Sequence, residues 1–337
     1  MEREKVVVLG GGSWGTALAH LLATGGHEVT LWMFEPELAA RTQKTRINDV
    51  FLPDVTLPSS ILVTNDIELA VRGKRIVISM GPPVFARSVC SLAAPLISGD
   101  AMLVNAAKGL EPQTLKRMSE VLGDVFPGAL PDKIATLSGP TFAAEVSKMR
   151  PAAVVVGARN QEIAARLQRM LHTPYFRPYT NQDIVGVEFG GSLKNIVAIA
   201  SGIVEGLGLG QNSQAALITR GLSEITRLGA ANGARPVTFQ GLSGIGDLVL
   251  TCTSRQSRNY SVGVELAQGK SLKSIVSGMT SVAEGVTTSR TAIQLAERCN
   301  VEMPITRQMF EVLFENKPPS AAIDDLLKRP LKEEMSW

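Results

Sequence analysis

The stretch "VVVLGGGSWGTALAHLL" (Val6–Leu22) places three glycines between a β-branched apolar run and a segment with helical character. Glycine loses the most backbone freedom on folding, so a cluster at this point implies a local task. Gly10, Gly12 and Gly15 follow the pattern G-x-G-x-x-G. In a strand–turn–helix setting, the first glycine lets the strand turn sharply and the second admits a pyrophosphate close to the backbone. The third lets the helix lie against the strand, and the N–H groups that open the helix then face the phosphate charge. The competing reading is a tight turn that holds no ligand. What favours the phosphate is Glu35, in "LWMFEPEL", twenty residues past Gly15 at the end of the next strand-like run. A carboxylate there accepts hydrogen bonds from the adenosine ribose and repels the extra phosphate of NADP.

Outward from this motif, short apolar runs alternate with helix-like segments: Lys5–Gly10, His27–Trp32, Arg75–Ser79, Ala101–Ala106, Lys133–Ser138 and Ala152–Ala158. Nearly continuous apolar strands separated by helices predict a parallel sheet covered on both faces, an α/β doubly wound Rossmann-like domain. Beyond about Asn181 the period changes. Ile218, Leu222, Ile225 and Leu228 recur at spacings of three and four, as do Ile305, Met309 and Val312, which predicts helices throughout. The expected division is a dinucleotide-binding domain over residues 1–182 and an all-helical domain over 183–337.

Composition excludes several classes of function. Of 337 residues, 45% are hydrophobic and 19% charged, and Lys+Arg exceed Asp+Glu by only 34 to 31. That balance is too even for a protein built to bind nucleic acid or an acidic membrane surface. Cys90, Cys252 and Cys299 are odd in number and widely separated, so neither a disulfide framework nor a metal site is expected. The first residues lack the apolar core of a secretory signal, no window predicts a membrane span, and a reducing cytoplasm is expected.

A nicotinamide enzyme needs a side chain that handles the alcohol proton. His20, inside the first helix, His27, just before the second strand, and His172, without an evident acid partner, are poor candidates. Lys194 is the better one: it follows Gly190 and Gly191 in "EFGGSLKNIVAIASGI", at the expected start of a long apolar helix. "NAAKGLE" sets Lys108 just past a strand, and "LSGPTFAAEV" sets Gly139 and Thr141 past the next, where ligands gather in open α/β sheets. Asp247 and Thr251 are four apart and share a face if helical. Ser257, Arg258 and Asn259 precede another helix-like run and form a candidate anion site; the plainer alternative is an N-cap serine with a surface arginine.

Taken in order, "GGGSWGTALA", "NAAKGLE", "LSGPTFAAEV", "GGSLKNIVAIASGI", "GLSGIGDLVLTCTSRQSRNYSVG" and "VAEGVTT" resemble the bacterial type of NAD(P)-dependent glycerol-3-phosphate dehydrogenase. The resemblance implies a 6-phosphogluconate-dehydrogenase-like fold and interconversion of glycerol 3-phosphate and dihydroxyacetone phosphate for glycerophospholipid synthesis. It gives the proton-transfer role to Lys194. It puts substrate contacts on Lys108, Gly139, Thr141, Lys194, Asp247, Ser257, Arg258 and Asn259. Cofactor contacts fall on Ser13, Trp14, Lys108, Ala143, Arg258, Val282 and Glu284, beside the glycines already named. The implied assembly is a cytoplasmic homodimer acting on a small phosphorylated molecule, with no nucleic acid and no insertion into a membrane.

Two features depart from the family pattern. Bacterial members often carry Arg or His near the position of Phe34, whereas "WMFEPE" has no basic residue until Arg41. NAD is therefore expected to be preferred and NADP to be weaker, with Phe34 packing on adenine. Gly81-Pro82-Pro83 replaces the usual loop beside the cofactor. Another oxidoreductase of the same fold acting on a different hydroxy acid, and a non-catalytic NAD sensor, are the alternatives. The last segment, "LLKRPLKEEMSW", is expected to be a loose tail.

Overall fold

Val6, Val7, Val8 and Leu9 are wholly buried because strand β1 (Lys5–Leu9) is interior to an eight-stranded sheet. The computed structural model describes residues 3–126, 131–279, 283–331 and 333–334. After β1 come β2 (Glu28–Trp32), a small antiparallel pair β3 (Ile47–Asn48) and β4 (Leu52–Thr56), then β5 (Leu62–Thr64), β6 (Ile76–Ser79), β7 (Met102–Asn105), β8 (Ile134–Ser138), β9 (Ala152–Ala158) and β10 (Phe176–Asn181). The sheet order is β10-β9-β8-β7-β6-β1-β2-β5. The chain leaves β1 for β2 on one side and later returns to β6 on the other, so the strand order reverses at β1, the place where open α/β sheets bind nucleotides.

Six of these strands match the apolar runs read from the sequence. The sheet is parallel from β5 to β8, but β9 runs antiparallel to β8 and β10 runs parallel to β9. The expectation of a wholly parallel sheet is corrected there: the connection from Gly139 to Pro151 holds a helix of only five residues, Ala143–Ser147, too short to carry the chain back along the sheet as the crossover helix of a parallel neighbour does. The short edge strand β5 and the strand β10, whose Arg177, Pro178 and Thr180 break the apolar run, were not evident in the sequence.

Helices α1 (Ser13–Thr24), α2 (Pro36–Thr45), α3 (Ile67–Val71), α4 (Pro83–Ala93), α5 (Met118–Val125), α6 (Ala143–Ser147) and α7 (Gln161–Leu171) connect the strands. The faces of the sheet carry separate apolar clusters. One holds Val6, Val8, Leu31, Ile78 and Val104, and the other holds Val7, Leu9, Val77 and Leu103, as alternating side chains on doubly covered strands require. Then follow α8 (Ile184–Gly206), α9 (Gly210–Ala231), α10 (Asp247–Cys252), α11 (Arg258–Ala267), α12 (Leu272–Ser277), α13 (Glu284–Arg298), α14 (Pro304–Phe314) and α15 (Pro319–Leu327).

The chain divides into two compact units, Met1–Glu111 with Lys116–Glu188, and Pro112–Leu115 with Phe189–Trp337. The division falls inside α8, a few residues after the boundary expected at 182/183, because the helix begins at Ile184 and continues through it. Among the described residues, everything after β10 is helical or irregular. In the terminal segment, the Glu334 carbonyl accepts a hydrogen bond from Arg220 Nη1 at 3.0 Å, and Arg329 binds Glu302 at 2.7 Å, so its described part is tied down.

Candidate active site

In the first unit, the glycine motif follows β1 directly. Gly10 has φ of +128°, and a Cβ on it would lie 3.2 Å from the Gly81 nitrogen. A Cβ on Gly15 would lie 1.9 Å from the Gly10 carbonyl oxygen, so any larger residue would force α1 off the turn. Gly12 is different: it is exposed, it N-caps α1 without a side-chain cap, and a Cβ there would meet nothing within 4 Å. The opening N–H groups of α1 thus face open space, a fit for a pyrophosphate.

Ser13 Oγ donates to the Phe51 carbonyl at 2.8 Å, which leaves its backbone N–H as the group for a phosphate. Trp14 and Ala143 pack against the same small cluster of Ala17, Leu52 and Val55. Glu35 is exposed three residues beyond β2; it N-caps α2 but its carboxylate makes no cap hydrogen bond. Phe34 beside it is 71% exposed. Pro82 precedes α4 and Pro83 begins it, so the proline pair serves as a rigid helix entrance, with φ preset and no donor to satisfy.

At the carboxyl ends of β7 and β8, Lys108 Nζ and Thr141 Oγ1 both donate to the Gly139 carbonyl, each at 3.3 Å. Three predicted residues therefore converge on one oxygen. Gly139 has φ of +145°, and a Cβ there would lie 3.0 Å from the Val154 Cα. The loop carrying Lys108 is anchored by Asn105, which accepts from the Ala107 N–H and donates to the Ala107 carbonyl, both at 3.0 Å. Asn105 also donates to Glu188 at 3.2 Å, and Glu188 accepts from Arg117 Nη1 at 2.8 Å and from the Ser119 N–H and hydroxyl. Burial pushes the Glu188 carboxyl upward, and the Arg117 charge opposes that shift. Reading the sequence missed this network; an acid and an arginine more than seventy residues apart carry no local signal of pairing.

In the second unit, Lys194 is buried at 5% exposure, three turns inside α8 rather than at its start. Helix α8 begins earlier than expected because Gly190 is helical: it is needed for packing, since a Cβ there would lie 2.2 Å from the Ser243 carbonyl oxygen. That oxygen belongs to a π-helical turn, Leu242–Gly246, which leads into α10. Such turns are rare and are frequent at functional sites.

Helix α10 carries Asp247 and Thr251 on one face, as their spacing predicted. Lys194 Nζ donates to Asp247 Oδ1, and to Thr251 Oγ1 at 2.6 Å. The Thr251 hydroxyl donates to the Asp247 carbonyl at 2.6 Å. With its one hydrogen used there, its oxygen presents a lone pair to the amine. Asp247 is 1% exposed and Thr251 5%. Burying an ion pair costs several kcal/mol per ion before attraction repays it, and apolar replacements of similar volume often serve stability as well, so the pair is weak evidence of a purely structural role.

Next on α8, Asn195 donates to Glu284 at 3.3 Å, and a Cβ on Gly285 would lie 2.6 Å from the Asn195 carbonyl oxygen. Asn259 Oδ1 accepts from the Gly285 N–H at 2.9 Å, so Asn259 and Glu284 meet at the start of α13. Ser257 is the N-cap of α11, accepting from the Tyr260 N–H, and Arg258 is exposed as the first residue of that helix. The plainer reading of the serine thus holds for its hydroxyl, while the arginine stands at a helix entrance. Val282 lies outside the described residues.

The histidines play no part in these clusters. His27 accepts from the Glu4 N–H at Nδ1 and bonds the Met170 carbonyl through Nε2 at 2.9 Å; His20 is buried in α1 and His172 is exposed.

A dinucleotide turn on a doubly wound sheet, followed in the chain by a helical unit with a buried, paired lysine, defines a two-domain nicotinamide dehydrogenase. The comparisons narrow the class. Models of the N-terminus and C-terminus of NAD-dependent glycerol-3-phosphate dehydrogenase match residues 5–164 and 183–324, and the chain belongs to that family. It is 50% identical over 331 residues to glycerol-3-phosphate dehydrogenase [NAD(P)+] of Geobacter metallireducens, covering 98% of this chain and 99% of that one. To the protein so named in Syntrophotalea carbinolica it is 51% identical over 328 residues, 97% and 98% of the two chains. The solved glycerol-3-phosphate dehydrogenase of Coxiella burnetii superposes with a TM-score of 0.93 at 37% identity, over 97% of this chain and 99% of that one. A ketopantoate reductase from Ralstonia eutropha, at 16% identity and a TM-score of 0.63 over 95% and 99% of the chains, shares the fold alone.

Proposed function

We propose that this protein interconverts sn-glycerol 3-phosphate and dihydroxyacetone phosphate with NAD as cofactor, and that Lys194 is the proton donor and acceptor. The observation that carries this reading is the buried Lys194 amine, held between Asp247 and Thr251 on a largely apolar helix. When bound, the nicotinamide supplies or takes the hydride. As the ketone is reduced, negative charge gathers on its oxygen; the Lys194 ammonium stabilises that charge and then donates the proton. In alcohol oxidation the same nitrogen takes the proton from the hydroxyl.

Asp247 and Thr251 fix the direction of the amine, so its approach to the reacting oxygen is set before substrate arrives. Arg258 and the N-terminus of α11, with Ser257 and Asn259, bind the substrate phosphate; binding energy gained at that remote group holds the reacting carbon in place. Lys108, Gly139 and Thr141 contribute the first unit's contacts to substrate, and Lys108 also touches the cofactor. Gly10, Gly12, Ser13, Trp14 and Gly15 hold the pyrophosphate, Phe34 and Glu35 the adenosine, and Ala143, Val282, Glu284 and Arg258 complete the cofactor contacts. Glu35 makes NAD preferred over NADP.

The protein acts as a cytoplasmic homodimer without insertion into a membrane, a reading supported by the family resemblance. Among the described residues one helix, α8, is long and apolar enough to cross a bilayer, and 94% of its apolar window is buried in the structure. The test is NADH absorbance with the purified protein. Consumption with dihydroxyacetone phosphate, and not with 2-oxo acids that lack phosphate, is the expected outcome. Turnover of such an oxo acid alone, or NADH binding with no turnover, would replace this reading with one of its two alternatives.

A further inference from the structure

Three helices of the second unit meet at one backbone oxygen. Cys252 ends α10, so its carbonyl has no partner within the helix. It accepts from Ser201 Oγ of α8 at 2.7 Å and from Gln214 Nε2 of α9 at 3.0 Å, and the same Nε2 donates to Ser201 Oγ at 3.0 Å. Ser201 is wholly buried and Gln214 is 7% exposed. Ser201 follows Lys194 by seven residues, about two turns, and so lies on the same face of α8.

Helix α10 is thus fastened to one stripe of α8 at both ends, by Asp247 and Thr251 on Lys194 and by the Cys252 carbonyl on Ser201. Helix α10 continues directly from the π-helical turn before it, and the bonds at its carboxyl end fix where its last side chains stand. Losing the second fastening lets the end of α10 turn about Asp247, and Thr251, next to Cys252, is the group such a rotation moves most directly. A misplacement of about 1 Å in a reacting constellation can cost on the order of a hundredfold in rate.

We propose that Ser201 and Gln214 are positioning residues for proton transfer: they touch neither substrate nor cofactor, and they hold Thr251 and Asp247 in register with the Lys194 amine. This rests on the reaction proposed above. Gln214→Met removes both donors and keeps the length of the side chain; Ser201→Ala removes the hydroxyl. Each is expected to lower kcat about tenfold while KM for dihydroxyacetone phosphate stays within about twofold, and to raise the solvent isotope effect on kcat as proton transfer becomes limiting.

A folded variant with wild-type kcat, or a loss of kcat that matches the loss of folded protein with an unchanged isotope effect, overturns the proposal. A crystal structure of Gln214→Met gives a readout independent of substrate: separation of Lys194 Nζ from Thr251 Oγ1 beyond hydrogen-bond reach supports it, and retention of the 2.6 Å contact refutes it. Wild-type protein inactive on dihydroxyacetone phosphate would refute the reaction, while this distance would still judge the positioning. Should Gln214→Met fail to fold, Ser201→Ala answers the same questions.

Discussion

At the scale of single residues, the sequence exposed those whose task is written into their neighbours. Gly10, Gly12 and Gly15 were legible because strand, turn and helix surround them, and Asp247 with Thr251 because a spacing of four defines a face. The depth of Lys194 was not legible: a lysine after two glycines reads as a helix start, and only the Ser243 carbonyl pressed on Gly190 explains why the helix runs through. Ser201 and Gln214 were equally hidden, since a serine on one helix and a glutamine on the next give no sign of the carbonyl they share.

Glu35 gives the sharpest prediction at this scale. Two unit charges about 4 Å apart repel by about 1 kcal/mol in bulk water and by up to about 4 kcal/mol near a protein surface, and about 1.4 kcal/mol is a factor of ten. The ratio of kcat/KM for NADH to that for NADPH is therefore expected to exceed about ten, and Glu35→Gln should narrow it. Equal efficiency with the two cofactors in the wild type would remove Glu35 from discrimination.

At the scale of elements, α14 shows how a tertiary contact completes a helix that the sequence placed by period alone. Ile305, Met309 and Val312 are buried as their spacing required, but the cap comes from α9. Glu224 accepts from the N–H groups of Ile305 and Thr306, at 2.5 and 3.1 Å, and from the Thr306 hydroxyl at 3.0 Å. Nothing near α14 in sequence announces an acid eighty residues earlier. Burial pushes the Glu224 carboxyl from 4.5 up to about 7, against the pull of the two N–H groups.

A folded value above the unfolded one means that the folded state binds the proton more tightly. This contribution is therefore complete below about pH 4.5 and is lost as pH rises through about 7. The shift corresponds to about 3 kcal/mol. Urea unfolding of the wild type at pH 5 and pH 8 should show a loss of that order, and Glu224→Gln, which cannot titrate, should flatten it. The same pH dependence in both proteins would contradict the assignment.

At the scale of the whole molecule, the alternating apolar runs and the later change of period disclosed the doubly wound sheet and the helical remainder, because each period follows from the geometry of its own element. They did not disclose the direction of β9, which goes with the five-residue helix in the connection before it, or β10, whose polar residues hide it. The proposed roles divide between the two units: one carries the glycine turn with Lys108, Gly139 and Thr141, and the other carries Lys194, Asp247 and Arg258, the arginine proposed to bind phosphate.

The central claim is that the Lys194 amine moves the proton, and Lys194→Met tests it most directly by keeping the buried stem without the amine. The measurement is kcat for reduction of dihydroxyacetone phosphate by NADH, with the NADH dissociation constant from its fluorescence. The account predicts a fall in kcat of at least about a hundredfold with NADH affinity within about twofold of wild type. A folded Lys194→Met protein that turns over at the wild-type rate would contradict it.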